Sequence, residues 1–135
     1  MRKIASSLAF KFVGLPYIWG GDDAVAGFDC SGVVIEVNKS VGNLPRKGDW
    51  RAKDLYRLWI NKVVTKAKEG CVVFFSTGGA DEIYHTEYVW KKGLMIGASG
   101  GGSRTLTRED AIKQNAYVKI RPLREDIFAI VNPFK

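Results

Sequence analysis

Two side chains of this chain have the types needed for nucleophilic chemistry in concert. Cys30 lies in Phe28-Asp29-Cys30-Ser31-Gly32, just ahead of an apolar run, and His85 is the single histidine of the 135 residues. A thiol and an imidazole distant in sequence are the minimum set for thiolate catalysis, in which the imidazole takes the proton and the sulfur attacks. A free thiol has a pKa of about 8.5 and is mostly protonated at neutral pH. A helix N-terminus or a neighbouring imidazolium lowers that value and raises the thiolate fraction. Asp29 or Ser31 suits the first turn of a helix here, and Val33-Val34-Ile35-Glu36-Val37 would continue it. Four β-branched residues in five, however, also read as a buried strand. On the residues alone both readings stand.

The motif has company. Pro16-Tyr17-Ile18-Trp19-Gly20-Gly21 precedes it, Leu44-Pro45-Arg46 follows it, and Gly70-Cys71-Val72-Val73-Phe74-Phe75 comes about ten residues before His85. Together these resemble the signature of the NlpC/P60 family of cell-wall cysteine peptidases, over roughly residues 4–100. The resemblance implies a papain-like α+β core, with N-terminal helices packed on an antiparallel sheet, and it makes residues 33–37 helical. It implies Cys30 as nucleophile and His85 as base. Tyr17 matches a motif tyrosine that helps hold the oxyanion or the substrate, or it is a core aromatic at a tight turn. Asp29 matches the acid implicated in holding the free amine of the substrate's N-terminal L-alanine, and it also suits a helix cap. Ser31 matches a neighbouring substrate-binding position. Trp19, Gly20 and Gly21 read as structural.

A base histidine needs an acceptor on its other ring nitrogen to fix its tautomer. Such families commonly place that acceptor on the next strand, at the position that here is Gly97, which has no side chain. Side chains at i and i+2 on a strand share a face, so Glu87 points the same way as His85, toward the space Gly97 leaves. Glu87 is therefore the candidate carboxylate of a Cys30–His85–Glu87 set. A surface role for Glu87, with the Gly97 carbonyl, Ser99 or a water orienting His85, remains open at this level.

The resemblance implies hydrolysis of an amide in the stem peptides of peptidoglycan, between γ-D-glutamate and the diamino acid, with no cofactor. Two other readings belong to different classes: a catalytically inactive wall-binding or virion module, and a thiol amidase or acyltransferase on another substrate.

Composition bounds the rest. The chain is 46% apolar and 26% charged, ordinary for a soluble globular protein. Its length suits a single catalytic domain over residues 1–135. No apolar run approaches a membrane span. The start, Met1 to Phe10, is too short in its apolar part and too soon interrupted by Lys11 for an export signal. It reads as an amphipathic helix with Ile4, Leu8 and Phe12 or Val13 inward, ended by Gly14. That suggests synthesis in the cytoplasm and action at the wall, as in a phage lysin or virion component. Two cysteines make no disulfide framework, Cys71 reads as a buried inert thiol, and one histidine argues against a zinc site. The net charge is +7, and between Arg46 and Lys68 eight basic residues face two acids. Segment 46–68 is thus a candidate surface for an anionic wall polymer. Nothing resembles a nucleic-acid reader. In residues 49–59 helical spacing puts Leu55, Leu58 and Trp59 on one side. Downstream, the pattern predicts strands at 70–76, 83–90, 94–98, 117–121 and 128–131, a hairpin at Lys91-Lys92-Gly93, and a short helix from Thr107 to Gln114.

Overall fold

Asp29 decides the conformation of the β-branched run behind it. In the computed structural model, which describes residues 1–23 and 27–135, the Asp29 backbone is extended and its carboxylate accepts from the Gly32 N–H at 2.8 Å. That is an N-cap, and helix α2 follows at Cys30–Ser40. β-Branched residues carry only a small helix penalty, and here burial outweighs it. Val33 and Val37 lie in one core cluster, and Val34 and Ile35 lie in a second on another side of the helix. A helix apolar on several faces is a buried one.

Helix α1, Arg2–Phe12, buries Ala5, Ser6, Ala9 and Phe12. Of the expected inward stripe Phe12 is buried and Leu8 and Val13 pack partly, but Ile4 is 59% exposed and Ala5 and Ala9 take the inner places. Two alanines on the inner face let α1 lie close against α2, which a larger residue would prevent. Gly14 leaves the helix with φ +95°, a conformation that favours glycine.

Short strands β1 (Asp22–Asp23) and β2 (Gly27–Phe28) form a two-stranded antiparallel pair ahead of α2. Helix α3, Ala52–Leu58, buries Ala52 and Leu55, with Trp59 buried just beyond it. These three lie at i, i+3 and i+7, one narrow stripe. Leu58 falls off that stripe and is 51% exposed, contrary to the sequence reading. Three of the basic residues in segment 46–68 are paired: Arg46 with Glu36, Arg51 with Asp54, and Arg57 with Asp54 and Asp81.

The main sheet holds β3 (Val63–Val64), β4 (Val72–Ser76), β5 (Ile83–Val89), β6 (Leu94–Ser99), β7 (Tyr117–Pro122) and β8 (Ala129–Val131). Its order is β3-β8-β4-β5-β6-β7, and every pair is antiparallel. This is the expected α+β class, with helices first and an antiparallel sheet after them. The β5–β6 hairpin turns at Lys92 and Gly93, both with positive φ, the pattern of a tight two-residue turn. Helix α4, Arg108–Gln114, starts at a capping box in which Thr107 and Asp110 exchange side-chain-to-backbone bonds. Alternation along β4 separates the faces of the sheet. Val72 and Phe74 pack toward α2 and α3, whereas Val73 and Phe75 join Cys71, Val89 and Met95 on the opposite face.

The segment before Cys30 is anchored through Phe28. Its ring is fully buried against Phe12, with centroids 4.7 Å apart. Its backbone bonds Pro16 and Ile18, at 3.1 and 3.0 Å. Phe28 thereby ties the Pro16-Tyr17-Ile18 turn, the first helix and the Cys30 motif into one unit. Phe28→Ala is expected to cost about 3–5 kcal/mol of stability, as for other fully buried aromatics, measured by urea unfolding.

Candidate active site

Cys30 is the first residue of α2, so its side chain stands at the helix N-terminus, where backbone N–H groups lack intrahelical partners. Opposite it runs β5. The β4–β5 ladder pairs Phe75 with His85 and then Ser76 with Ile83, leaving Tyr84 as the extra residue of a β-bulge. The Cys30 Sγ sits 4.0 Å from the Tyr84 carbonyl, toward which its S–H points. The sulfur therefore lies against the backbone flanking His85.

Further along, β5 pairs with β6 only at Tyr88↔Ile96 and Val89↔Met95. Beyond those pairs a cleft of about 240 Å³ opens, lined by Tyr84 and His85 from β5, Ala98 and Ser99 from β6, and Cys30 and Tyr17 from below. Arg121 and Arg124 complete its wall. A second hollow of similar size lies on the other side of Cys30, bounded by Tyr17, Trp19, Asp29, Ser31, Arg51 and Tyr84. Cys30 thus belongs to the walls of both hollows. Cys30 and His85, 55 residues apart in sequence, line the same wall of space.

The imidazole is held from three directions. Its Nε2 is 2.6 Å from Glu87 Oε2. A carboxylate can only accept, so Nε2 carries the proton in this contact, and in the neutral imidazole Nδ1 is then the basic nitrogen. Phe75 and Tyr84 lie to either side, with centroids 5.7 and 6.4 Å from the ring. Glu87 is fully buried, and the Arg121 guanidinium donates to the same Oε2 oxygen. The room for that carboxylate comes from Gly97. A Cβ there would stand 2.4 Å from Glu87 Cγ and 2.7 Å from Oε1. Ser99, the other side chain considered as an acceptor, has a buried hydroxyl with no hydrogen-bond partner among the described residues.

Electrostatics at the sulfur run against the simple helix-terminus expectation. Burial, followed by the Asp29 carboxylate, pushes the Cys30 thiol up to about 12, while N–H groups of Thr86 and Ser31 pull the other way. Desolvation outweighs the helix terminus, so the resting sulfur is a neutral thiol that needs a base to ionise it. Burial also pushes the Tyr17 phenol up, helped by Cys30 once that thiol is ionised and by the Asp29 carboxylate. Tyr17 thus keeps its proton and stands at the cleft as a hydrogen-bond donor. Gly101 packs flat on its ring, since a Cβ there would come 2.5 Å from it. Asp29 is raised chiefly by burial and held down by the Gly32 and Ser31 bonds. Ser31 Oγ donates to Asp29 at 3.3 Å. Asp29 therefore caps the helix and also borders the second hollow. Cys71, fully buried in the opposite core, is remote from this chemistry. Among the described residues no three His, Cys, Asp or Glu side chains gather as a metal-binding group, and no helix is long and apolar enough to cross a membrane.

Tyr84, Arg121 and Arg124 escape the sequence reading. Tyr84 enters only through a bulge, which leaves no compositional mark. Arg121 reaches Glu87 because β7 pairs with β6 across the whole of α4 and its loops, a register that no local pattern encodes.

A cysteine at a helix N-terminus, sharing a cleft with a carboxylate-held histidine of an antiparallel sheet, defines an α+β architecture that brings a thiol and an imidazole to one site. The sequence places it by descent: residues 14–122 match the NlpC/P60 family, and the chain belongs to that family. It is 33% identical over 98 residues to murein DD-endopeptidase MepH of Escherichia coli K12, covering 70% of this chain and 35% of that protein. It is 30% identical over 114 residues to a γ-D-glutamyl-L-lysine dipeptidyl-peptidase of Bacillus subtilis 168, covering 82% of this chain and 37% of that protein. The chain thus spans little more than a third of the length of either. An NlpC/P60 protein structure from Bacillus cereus ATCC 10987 superposes with a TM-score of 0.75 at 25% identity, over all of this chain and 41% of that one.

Two outcomes follow from this geometry. Gly97→Ala is expected to destabilise the protein by about 1–3 kcal/mol through overpacking. Adding Glu87→Ala should recover part of that loss, a non-additivity that a double-mutant cycle by urea unfolding reads directly. Asp29→Asn removes the main charge opposing the thiolate, so Cys30 should be alkylated faster by iodoacetamide at pH 8 than in the parent protein.

Proposed function

We propose that this chain hydrolyses an amide bond in the stem peptides of peptidoglycan, with Cys30 as nucleophile and His85 as general base, and that the bond joins γ-D-glutamate to the diamino acid. The observation that carries the proposal is the shared cleft. One thiol and the sole imidazole line it, and Glu87 holds that imidazole through its Nε2. Two relatives named for wall-peptide hydrolysis support the substrate class. Their names refer to different bonds, so the choice of γ-D-glutamyl bond rests on Asp29. Its carboxylate borders the hollow beside Cys30 and suits the ammonium of the residue that precedes the one bearing the scissile carbonyl.

The proposed sequence is acyl transfer through the sulfur. The substrate carbonyl settles against Cys30. His85 Nδ1 takes the thiol proton as the S–C bond forms, which suits a thiol that rests neutral. The carbonyl electrons move to oxygen, held by the Cys30 backbone N–H and the Tyr17 hydroxyl. The imidazolium, stabilised by Glu87, then protonates the leaving amine as the C–N bond breaks. Water, deprotonated by the same nitrogen, attacks the thioester and releases the carboxylate and free thiol. The thiol proton has left on the amine, the proton taken from water returns through the imidazole to the departing sulfur, and no cofactor takes part.

The direct test is incubation with defined muropeptides and mass analysis of the products. Release of an L-alanyl-γ-D-glutamate fragment is the expected result. Cleavage at a D,D cross-link instead would reassign the bond, and transfer to an added amine would favour an acyltransferase. Cys30→Ala should abolish turnover. His85→Ala should lower it by about 10²–10⁴-fold, the usual worth of a positioned base, and Glu87→Gln should lower it as well. Equal rates in Glu87→Gln and Glu87→Ala and in the parent protein would remove the carboxylate from the mechanism. A protein that holds wall peptides with unchanged affinity after Cys30 is alkylated, and never cuts them, is a binding module.

A further inference from the structure

We propose that Arg121 is a positioning residue that acts on His85 through Glu87, making the working arrangement a Cys30–His85–Glu87–Arg121 relay. This rests on the hydrolase reading for its kinetic consequences, but its geometric content stands without it.

The observations are specific to this chain. Glu87 is fully buried, and a buried carboxylate without a counter-charge is costly. The cation nearest to it comes from β7, two strands away from β5 in the sheet. Register explains how it arrives. Arg121 pairs with Met95 and Lys119 pairs with Gly97, so Arg121 shares the face of Glu87 and reaches over the gap where Gly97 has no side chain. Its guanidinium donates to Oε2, the same oxygen that His85 Nε2 uses. Oε1 is left buried with no partner, and so is the Arg121 Nε. One oxygen thus joins imidazole and guanidinium directly, and little else holds the carboxylate.

The physical role follows. With the guanidinium in place, the Glu87 carboxylate is held where its Oε2 accepts the Nε2 proton, leaving Nδ1 for the thiol. Without it, an uncompensated buried charge is left behind, and the carboxylate turns toward solvent or toward another donor. Either way the imidazole loses the contact that selects its tautomer. Arg121 also lines the cleft, so a direct contact with an acidic group of the substrate is the rival role.

The experiment separates the two roles. His85 is the only histidine, so one pair of imidazole ¹⁵N signals reports its tautomer without assignment ambiguity. The parent protein should show a single form protonated at Nε2. Arg121→Ala should show a mixture, with kcat lowered about ten- to a hundredfold, the range typical of outer partners that orient a functional histidine. KM should stay within about twofold, and added guanidinium should restore both the signal and kcat. In a Glu87→Gln background, Arg121→Met should lower kcat no further, because its route to His85 is already cut. That double variant leaves no lone buried charge and serves where Arg121→Ala does not fold. A single unchanged tautomer in Arg121→Ala overturns the proposal. So does a rise in KM with kcat held, or a further loss in the Glu87→Gln background, since both mark a substrate contact. If the parent protein cuts no muropeptide, the hydrolase reading fails, and the ¹⁵N signals alone still decide for or against the relay.

Discussion

A single oxygen, Oε2 of a fully buried glutamate, ties this structure's chemistry to its fold. An imidazole and a guanidinium from different strands both donate to it. Burial makes the arrangement all or nothing. In a low-dielectric interior a charged hydrogen bond is strong when paired and expensive when not. Three strands must therefore keep their register, since a slip of one residue in β5 would send His85 and Glu87 to the helix face. The exchange with Gly97 is equally strict. The side chain that neighbouring-strand geometry would allow at residue 97 is absent, and Glu87 fills its volume.

The remainder of the architecture serves access to this pair. The short β5–β6 ladder lets the strands separate where His85 sits, and the Tyr84 bulge brings the strand backbone against the sulfur. Helix α2 brings Cys30 to the same place and is itself wedged between two apolar clusters. The cost is a desolvated thiol, pushed up to about 12, which the helix terminus alone does not ionise. A preorganised imidazole matters more in such a site than in one with a standing thiolate.

Legibility in the sequence followed the range of the interactions. The Thr107 capping box, the Lys92-Gly93 turn and the Asp29 cap are set by neighbours within a few residues, and each was readable in the residues themselves or in their likeness to a family. Glu87 was reachable because i and i+2 on a strand share a face. Errors came where facing depends on what lies across the gap. Ile4 and Leu58 are apolar and suitably spaced, yet both are exposed, because small alanines took one inner stripe and a short helix offered only three inward places in the other.

What the residues determined alone is the inventory and the local geometry: one thiol in a cap motif, one histidine and a carboxylate two places beyond it, with the glycine that stands in a partner's place legible only through the likeness to the family. Backbone propensity and side-chain alternation act over a few residues and are written directly in the chain. Tertiary structure decided which cation meets the buried carboxylate, how far burial opposes the thiolate, and that the cleft opens between β5 and β6. Those depend on strand pairing across an intervening helix and on exclusion of water, which exist only once distant segments have packed together.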